Sequence, residues 1–256
     1  MTSGESVVLS TLEFDMLWEA ERLPRRHPAL DVPSAGMTHS ERGDLIEQAW
    51  SSLAQRRLAK GRQATSDLVD MLNLFIRPAV AIDLWVWTDR QISGLAVSTG
   101  SQALMGVVDG DEVWLIPARD SSLPESAVSV AGDATPGVGW SASVPHDVLV
   151  EADREAAGEA RTLVGALADR GVAMSEAQEF AAMLQGQTIR GQFGAQTYGR
   201  DGSVRRAPRV IGFYDTERGR YLLQVAPGGD GRQWATVAPA DNAMLAGRVW
   251  ELLDEM

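Results

Sequence analysis

The last third of the chain constrains the fold most strongly, because short strand-like runs alternate there with turn-forming segments. The runs cover residues 209–215, 220–225 and 232–237, and a helical pattern follows them to the C-terminus. Thr-Glu-Arg-Gly separates the first two runs and Pro-Gly-Gly-Asp-Gly the next two, and both compositions are typical of tight turns. The pattern predicts an antiparallel meander closed by a helix, which is a unit that builds a surface.

Composition and charge exclude several classes of protein. The 256 residues are 45% hydrophobic, which is enough for a substantial core, and none is a cysteine, which fits a reducing compartment. We expect no secretory signal, and no membrane insertion, because no stretch approaches the ~20 apolar residues that a membrane helix needs. The net charge of −12 argues against nucleic acid as a partner. We interpret the local arginine cluster of Arg200, Arg205, Arg206 and Arg209 as a solvated loop with charged strand flanks.

The elements of the first half recur in the same order in the second half. Helical patterns cover 12–20, 38–61 and 66–76, and strands follow at 79–88, 92–99, 103–108 and 112–117, with Asp109-Gly110 as a hairpin turn. A loop is predicted at 121–144. Helices then cover 146–169 and the segment after a capping-box pattern at 175–178, followed by strands at 189–198, 209–215, 220–226 and 232–237.

This recurrence predicts one pseudo-symmetric α+β domain built from two similar halves. Each half would be a helix-helix-meander unit, about 1–120 and about 145–256, related by a pseudo-two-fold axis. Joining the two units into one sheet would remove an exposed edge from each, which favours a single domain over 1–256. Independent convergence of the two halves on the same α+β pattern is the alternative to duplication.

No motif in the sequence carries catalytic or metal chemistry. The three histidines, His27, His39 and His146, lack the spacing and the carboxylate company of a metal site. The glycine pairs at 106–110 and 191–194 do not open a helix after a strand, so they do not form a phosphate loop. A serine triad would lack its Gly-x-Ser-x-Gly elbow. We therefore predict no catalytic residue, no metal and no cofactor.

Eight tryptophans are present, and two of them leave alternatives open. Trp50 and Trp114 are assigned most simply to the core. Trp85 and Trp87 alternate with Leu84 and Val86, so the two tryptophans would share one sheet face. That pair is either an exposed contact patch or is covered by helices on the second face of the sheet.

At this point the chain resembles the EspG family, the cytosolic substrate-recognition chaperones of type VII (ESX) secretion systems. The residues that carry the resemblance are Leu12-Glu-Phe-Asp-Met-Leu-Trp-Glu19, Val32-Pro-Ser-x-Gly36, Thr38-x-x-Glu41-Arg42, Ala49-Trp50, Arg77-Pro78 with Asp83-Leu84, and Gly212, Asp215, Gly219-Arg220, Trp234, Val237 and Pro239. The ordered set spans essentially the whole chain. It is more specific than any of its members, most of which are structural.

The resemblance implies a central antiparallel sheet flanked by N- and C-terminal helical bundles, in a cytoplasmic protein that is not an enzyme. It implies binding of the hydrophobic helical tip of a PE–PPE heterodimer, or of a PPE-like helical secretion substrate, which is thereby kept soluble and directed to its secretion system. A different class of function stays open, namely a small-molecule-binding or hydrolytic α+β enzyme without a recognisable motif. A self-associating structural protein is a third possibility, and the oligomeric state is not predicted.

The binding surface is expected on the sheet and the C-terminal helices. Thr99 and Gln102 belong to a polar hairpin tip that could adapt to a partner. Between Phe180 and Gln196 the chain combines apolar anchors with amide groups suited to a helix-in-groove contact. The predicted partner-binding residues are Thr99, Gln102, Phe180, Met183, Gln187, Phe193 and Gln196.

Overall fold

The structure is a computed structural model that describes residues 5–199 and 201–256. Arg200 of the predicted arginine cluster, and the first residues of the segment in which we expect no secretory signal, lie outside the described residues. The chain divides into two compact units. The first comprises Met1–Trp85, Asp89–Ala127 and Gln196–Arg205, and the second comprises Val86–Thr88, Val128–Ala195 and Arg206–Met256.

The sheet of the first unit is antiparallel, with its strands in the order β1-β7-β6-β5-β4. These strands are β1 Val7–Ser10, β4 Val80–Trp87, β5 Gln91–Ser98, β6 Ala103–Asp109 and β7 Glu112–Ala118, and β2 Ala59–Lys60 pairs with β3 Gln63–Ala64 in a small separate hairpin. Asp109 pairs with Glu112 across the β6–β7 turn, where Gly110 takes a left-handed φ of 59°. The Asp-Gly pair therefore forms the predicted hairpin.

Three helices cover the core of the first unit: α1 Thr11–Ala20, α2 His39–Gln55 and α3 Ser66–Leu74. Helix α1 begins with a full capping box, because Ser10 and Glu13 each accept a hydrogen bond from the other's backbone amide. At the predicted box of α2, Thr38 caps the amide of Glu41, but the Glu41 carboxylate accepts from Met37 instead. Apolar side chains of all three helices join one buried cluster with the sheet.

The sheet of the second unit is also antiparallel, in the order β9-β11-β12-β13-β8. The strands are β8 Ala142–Pro145, β9 Ile189–Tyr198, β11 Ile211–Thr216, β12 Gly219–Pro227 and β13 Gln233–Pro239, and a short β10 covers Val204–Arg206. Strands β11, β12 and β13 are the meander that the turn compositions predict. Strand β9 has the predicted bounds.

The remaining helices are α4 Leu123–Ser129, α5 His146–Ala156, α6 Ala160–Asp169, α7 Met174–Met183 and α8 Asn242–Asp254. Helices α5, α6 and α7 contact one another in sequence and enclose an alanine- and leucine-rich cluster. Helix α7 also faces the sheet, where Phe180 and Met183 pack with Tyr214 and Tyr221. The α+β class with antiparallel sheet and helices from both ends of the chain is confirmed, whereas the pseudo-two-fold relation and the single domain over 1–256 stay predictions.

Several local predictions are wrong. The predicted helix at 146–169 is two helices, because Ala157 is left-handed with φ 47° and Gly158 follows it with φ 90°. The predicted loop at 121–144 contains α4 and the start of β8. Helix α7 begins after Ala173 without a side-chain cap, so 175–178 is not a capping box.

Two side chains also differ from their predicted exposure. Trp50 is in the core, but Trp114 is 37% exposed and donates to Glu112. Arg209 is not a solvated arginine, because its side chain is only 13% exposed and pairs with Glu255. No helix within 5–199 and 201–256 is both long enough and apolar enough to cross a bilayer.

Candidate functional site

A groove of about 940 Å³ lies open on one face of the second unit's sheet. Strands β9, β11 and β12 form its floor, and Trp87, His146 and Gln187 stand at its rim. Helices α5 and α7 contact the neighbouring strands β13 and β8. The groove is therefore the part of this sheet face that the helices leave uncovered.

The groove owes its depth to a glycine in the middle strand of its floor. Gly212 on β11 is opposite Gln192 on β9 and Leu223 on β12. Neighbouring strands lie ~4.8 Å apart, so the side chains of Gln192 and Leu223 stand about 10 Å apart with no side chain between them. An α-helix with its side chains is about 10–12 Å across. The free width between those side chains is smaller than a helix, so the gap over Gly212 can take the side chains of one helix that lies above it.

Space above Gly212 depends on the absence of a side chain there. A Cβ at this position would lie 3.0 Å from the backbone carbonyl oxygen of Leu223, which is tighter than ordinary contact. Apolar surface continues along the groove at Leu223 and Val225, both half-buried, and at the exposed Pro208 and Pro227. The floor thus offers an apolar strip with a gap for a partner's side chains beside it.

The polar groups of the groove are mostly amides. Gln187, Gln192, Gln224 and Gln233 all line it, and each side-chain amide can both donate and accept. Gln187 donates its Nε2 to the carbonyl oxygen of Leu184 at 3.2 Å, and this bond does not use its Oε1. Such groups can hydrogen-bond the exposed backbone at a helix end or turn.

The groove is electrostatically unlike the rest of the chain. Within the described residues no Asp or Glu lines it, although the chain carries 35 acidic residues. Two arginines do. Arg209 is paired with Glu255 and lies 3.5 Å from the Oε1 of Gln224. Arg190 is exposed, and its guanidinium carbon lies 5.4 Å from the centroid of the Trp87 ring. The groove is therefore apolar with a local positive charge.

Within the described residues, the one phenol of the groove is unsuited to acid-base chemistry. Tyr214 lines the groove, but the Tyr214 hydroxyl is buried and has no hydrogen-bond partner among residues 5–199 and 201–256. Burial raises the pKa of this phenol far above its usual value, so it stays protonated at neutral pH. In the part of the chain that the structure describes, no cluster of His, Asp and Glu could hold a metal ion.

Four of the seven predicted contact residues are buried, which corrects their assignment to an accessible groove. Phe180 and Met183 on α7 are 0% and 1% exposed in the core against the sheet. Phe193 is 0% exposed and stacks on Phe213 at 5.6 Å between ring centroids. Gln196 is 6% exposed and donates to the hydroxyl of Tyr198. As they lie, these side chains present no surface to a partner.

The other three predicted residues are exposed. Thr99 and Gln102 form the tip of the β5–β6 hairpin in the first unit, where the Thr99 amide donates to the Gln102 carbonyl oxygen at 2.9 Å. Gln187 follows α7 in the second unit and lines the groove. Of the seven, only Gln187 lies in this groove. The contact role of all seven stays a prediction.

The groove residues that the sequence prediction missed are mainly strand residues of ordinary composition. Arg190 and Gln192 lie within the predicted segment 183–196, on the alternation phase opposite to Phe193. Leu223 and Val225 lie in a predicted strand with nothing to mark them. Trp87 is half-buried and faces the groove, so one of the two singled-out tryptophans does belong to it. Trp85 instead packs against the first unit's core and donates to Asp83.

Comparison with known proteins places this fold. A sequence model of the EspG family matches residues 10–251. The chain belongs to the EspG family. One similar solved structure is described as the Mycobacterium tuberculosis type VII secretion system chaperone EspG5 in complex with a PE25–PPE41 dimer. The match has a TM-score of 0.78 and covers 98% of this chain and 96% of that chain. The sequence identity is 13%, so this similarity supports the fold and nothing further. A comparison with curated proteins found no match.

Residues that carry the EspG resemblance have structural roles in this chain. Asp15 is 5% exposed and binds Arg26 at 2.9 Å and Arg42 at 3.1 Å, which ties α1 to the proline-rich connector and to α2. The indole of Trp18 donates to the carbonyl oxygen of Pro24. The EspG family pattern in this chain therefore marks the scaffold, with Gly212 as a member that also shapes the groove.

Proposed function

We propose that this EspG-family chain is a cytoplasmic, non-enzymatic secretion chaperone whose groove takes the apolar helical tip of a PPE-type substrate. The observation that carries the proposal is the groove itself, an apolar strip beside a gap over Gly212 that can take the side chains of a helix. A helix in a groove is a common mode of peptide recognition. The fold supports the same assignment, because a relative of the same fold is described in complex with a PE25–PPE41 dimer.

The groove has the chemistry that such a chaperone needs. Leu223 and Val225 can cover apolar side chains that would otherwise cause the substrate to aggregate. The amides of Gln187 and Gln192 can satisfy backbone groups where a helical hairpin turns and leaves its ends unpaired. The enzymatic alternative finds less support, since the Tyr214 hydroxyl of the groove is buried and burial raises its pKa.

The proposal is tested by co-expressing the chain with PPE-type proteins of the source genome, each with its PE-type partner. At least one pair should stay soluble with the chain, aggregate without it, and elute with it as a complex in size-exclusion chromatography. If no pair binds the unaltered chain, the proposed function is wrong.

The groove is tested with Val225→Asp, and Val150→Asp provides a matched control because Val150 is 41% exposed on α5 outside the groove. Placing a charge at a central apolar contact should weaken binding by about 2 kcal/mol, or roughly 30-fold in Kd, measured by isothermal titration calorimetry. The control should bind as the unaltered chain does.

A second groove variant, Pro227→Asp, covers the case in which Val225→Asp lowers stability, since Pro227 is exposed. Urea unfolding of each variant reports its stability separately from its binding. If both groove variants stay folded and bind normally, the partner does not use this groove.

A further inference from the structure

Arg190 is set apart from the other charged groups around the groove. It lies on the exposed start of β9, and its guanidinium rests over Trp87 at 5.4 Å from the ring centroid. Within residues 5–199 and 201–256 its guanidinium has neither an ion pair nor a hydrogen bond, although the chain as a whole is strongly acidic. The contact with the indole face holds the guanidinium plane in place and leaves its N–H edge available.

Arg209, the other arginine of the groove, differs from Arg190 because it has a carboxylate partner within the chain. Its guanidinium binds Glu255 through both Nε and Nη2, and its side chain is mostly buried. Arg209 is thus neutralised from within the chain. Among the described residues, no carboxylate pairs with the guanidinium of Arg190. A partner that covers Arg190 must therefore supply hydrogen-bond acceptors in place of the water that the guanidinium loses.

We propose that the groove selects substrates whose inserted helical tip carries an aspartate or glutamate, and that this carboxylate pairs with Arg190 on Trp87. The inference rests on the proposed function and names the chemistry of its partner. Docking would remove Arg190 from water, and an unpaired buried guanidinium is strongly unfavourable. A tip without an acidic residue would carry that penalty, so the same residue that attracts acidic tips rejects neutral ones.

A carboxylate on a protein fits this site better than a phosphate-rich polyanion. The single unpaired guanidinium lies in an apolar groove of a chain with net charge −12, which would repel nucleic acid overall. A guanidinium fork matches one carboxylate with two parallel hydrogen bonds. The apolar floor beside it suits the side chains that flank such a carboxylate on a helix turn.

The test uses the PE–PPE pair that binds the unaltered chain and compares Arg190→Glu with Arg205→Glu. Arg205 is an exposed arginine on β10, outside the groove, so the control makes the same charge change. We expect Arg190→Glu to raise Kd at least about tenfold, because a close charge pair in an interface is lost and replaced by repulsion. Arg205→Glu should leave Kd within about twofold, since exposed charges away from the contact are screened.

A charge-reversal experiment on the partner identifies the carboxylate that pairs with Arg190. Each acidic residue on the partner's helical tip is changed to arginine in turn, and one of these variants should recover most of the affinity for Arg190→Glu. The same partner variant should bind the unaltered chain poorly. If no acidic tip residue gives rescue, or if Arg190→Glu binds as the unaltered chain does, the inference is refuted.

Failure of this inference differs from failure of the proposed function. If Val225→Asp loses binding while Arg190→Glu keeps it, the groove is the binding site and the selection for acidic tips is wrong. If no PE–PPE pair binds at all, both proposals are wrong. Arg190 is exposed, so Arg190→Glu should keep the urea midpoint of the unaltered chain, which separates loss of binding from loss of fold.

Discussion

Arg220 is completely buried, and all five N–H groups of its guanidinium are used in hydrogen bonds. Nε and Nη2 bind the two carboxylate oxygens of Asp215 at 2.7 and 2.8 Å, and Nη2 also donates to the carbonyl oxygen of Ala131 at 2.7 Å. Nη1 donates to the carbonyl oxygen of Gly132 at 2.9 Å and to the side chain of Asn242. One side chain thus joins β11, the segment after α4, and the start of α8.

Replacing Arg220 by methionine keeps an unbranched chain of similar length and removes every one of these donors. The Asp215 side chain is only 13% exposed, so its carboxylate would lose its counter-ion where water cannot fully replace it. Breaking a buried ion pair by removing one partner costs about 3–5 kcal/mol. Two backbone carbonyl groups would also lose their donors, each worth about 1–3 kcal/mol if left unpaired. We expect a loss of at least about 4 kcal/mol, a large part of the 5–15 kcal/mol that stabilises a typical domain.

The loss is measured by urea unfolding followed by tryptophan fluorescence and by far-UV circular dichroism. Arg232→Met is the matched control, because Arg232 forms an exposed ion pair with Asp147 at 2.9 Å. Exposed pairs contribute about 0–1 kcal/mol, so the control should unfold near the unaltered midpoint. If Arg220→Met does not fold, Arg220→Lys keeps the charge with three donors and should show an intermediate loss.

The double variant Arg220→Met with Asp215→Leu isolates the charge contribution, because it removes both members of the pair. It should be more stable than Arg220→Met alone. If Arg220→Met costs no more than Arg232→Met, the reasoning that five satisfied buried donors stabilise the second unit is refuted.

Three further predictions concern single side chains of the second unit. Tyr214→Phe should leave stability unchanged or raise it by up to about 1 kcal/mol, because the buried hydroxyl has no partner among the described residues. Burial raises the pKa of Tyr214, so above about pH 10 the phenol ionises in the unfolded chain while it stays protonated in the folded one. The unaltered chain should therefore lose stability with rising pH faster than Tyr214→Phe does, by at most about 1.4 kcal/mol per pH unit. Urea midpoints of the two proteins measure this difference. Gly137→Ala should lower the free energy of unfolding by more than about 2 kcal/mol, because the added Cβ would lie 2.1 Å from Cζ of Tyr221. Gly229→Ala is the control and should be nearly neutral in the same assay, because the space around Gly229 is open. Phe193→Asp should abolish cooperative unfolding rather than selectively weaken binding, because it places a carboxylate in the core; a folded Phe193→Asp protein with normal circular dichroism would contradict the burial of this side chain.

Local elements were predictable where the signal is local. Gly110 takes the left-handed φ that a tight hairpin turn needs, and the β6–β7 turn forms there between the paired Asp109 and Glu112. The break between α5 and α6 was missed, because apolar positions continue at helical spacing on both sides of it. Only the left-handed Ala157 and the Gly158 after it end the helix, and alanine is otherwise the best helix former.

The site was harder to predict than the fold, because alternation defines two faces of a strand without saying which is covered. Phe193 and Gln192 are neighbours on β9 and point to opposite faces. Phe193 lies in the core against Phe213, and Gln192 lines the groove. Phe193, predicted as an apolar contact, is therefore a core residue, whereas Gln192 and Arg190 on the other phase face the groove.

The sequence by itself determined the α+β class, the EspG family and the meander, because periodicity, turn chemistry and an ordered set of motifs are properties of neighbouring residues. Tertiary structure alone decided where the groove lies and what holds the scaffold around it. The groove exists because Gly212 falls between Gln192 and Leu223 in the register of three strands, and because α5 and α7 contact mainly β13 and β8. Arg220 finds Ala131 and Gly132 nearly ninety residues away along the chain, with separations of 89 and 88. Such pairings depend on packing between distant segments, which no local pattern in the chain records.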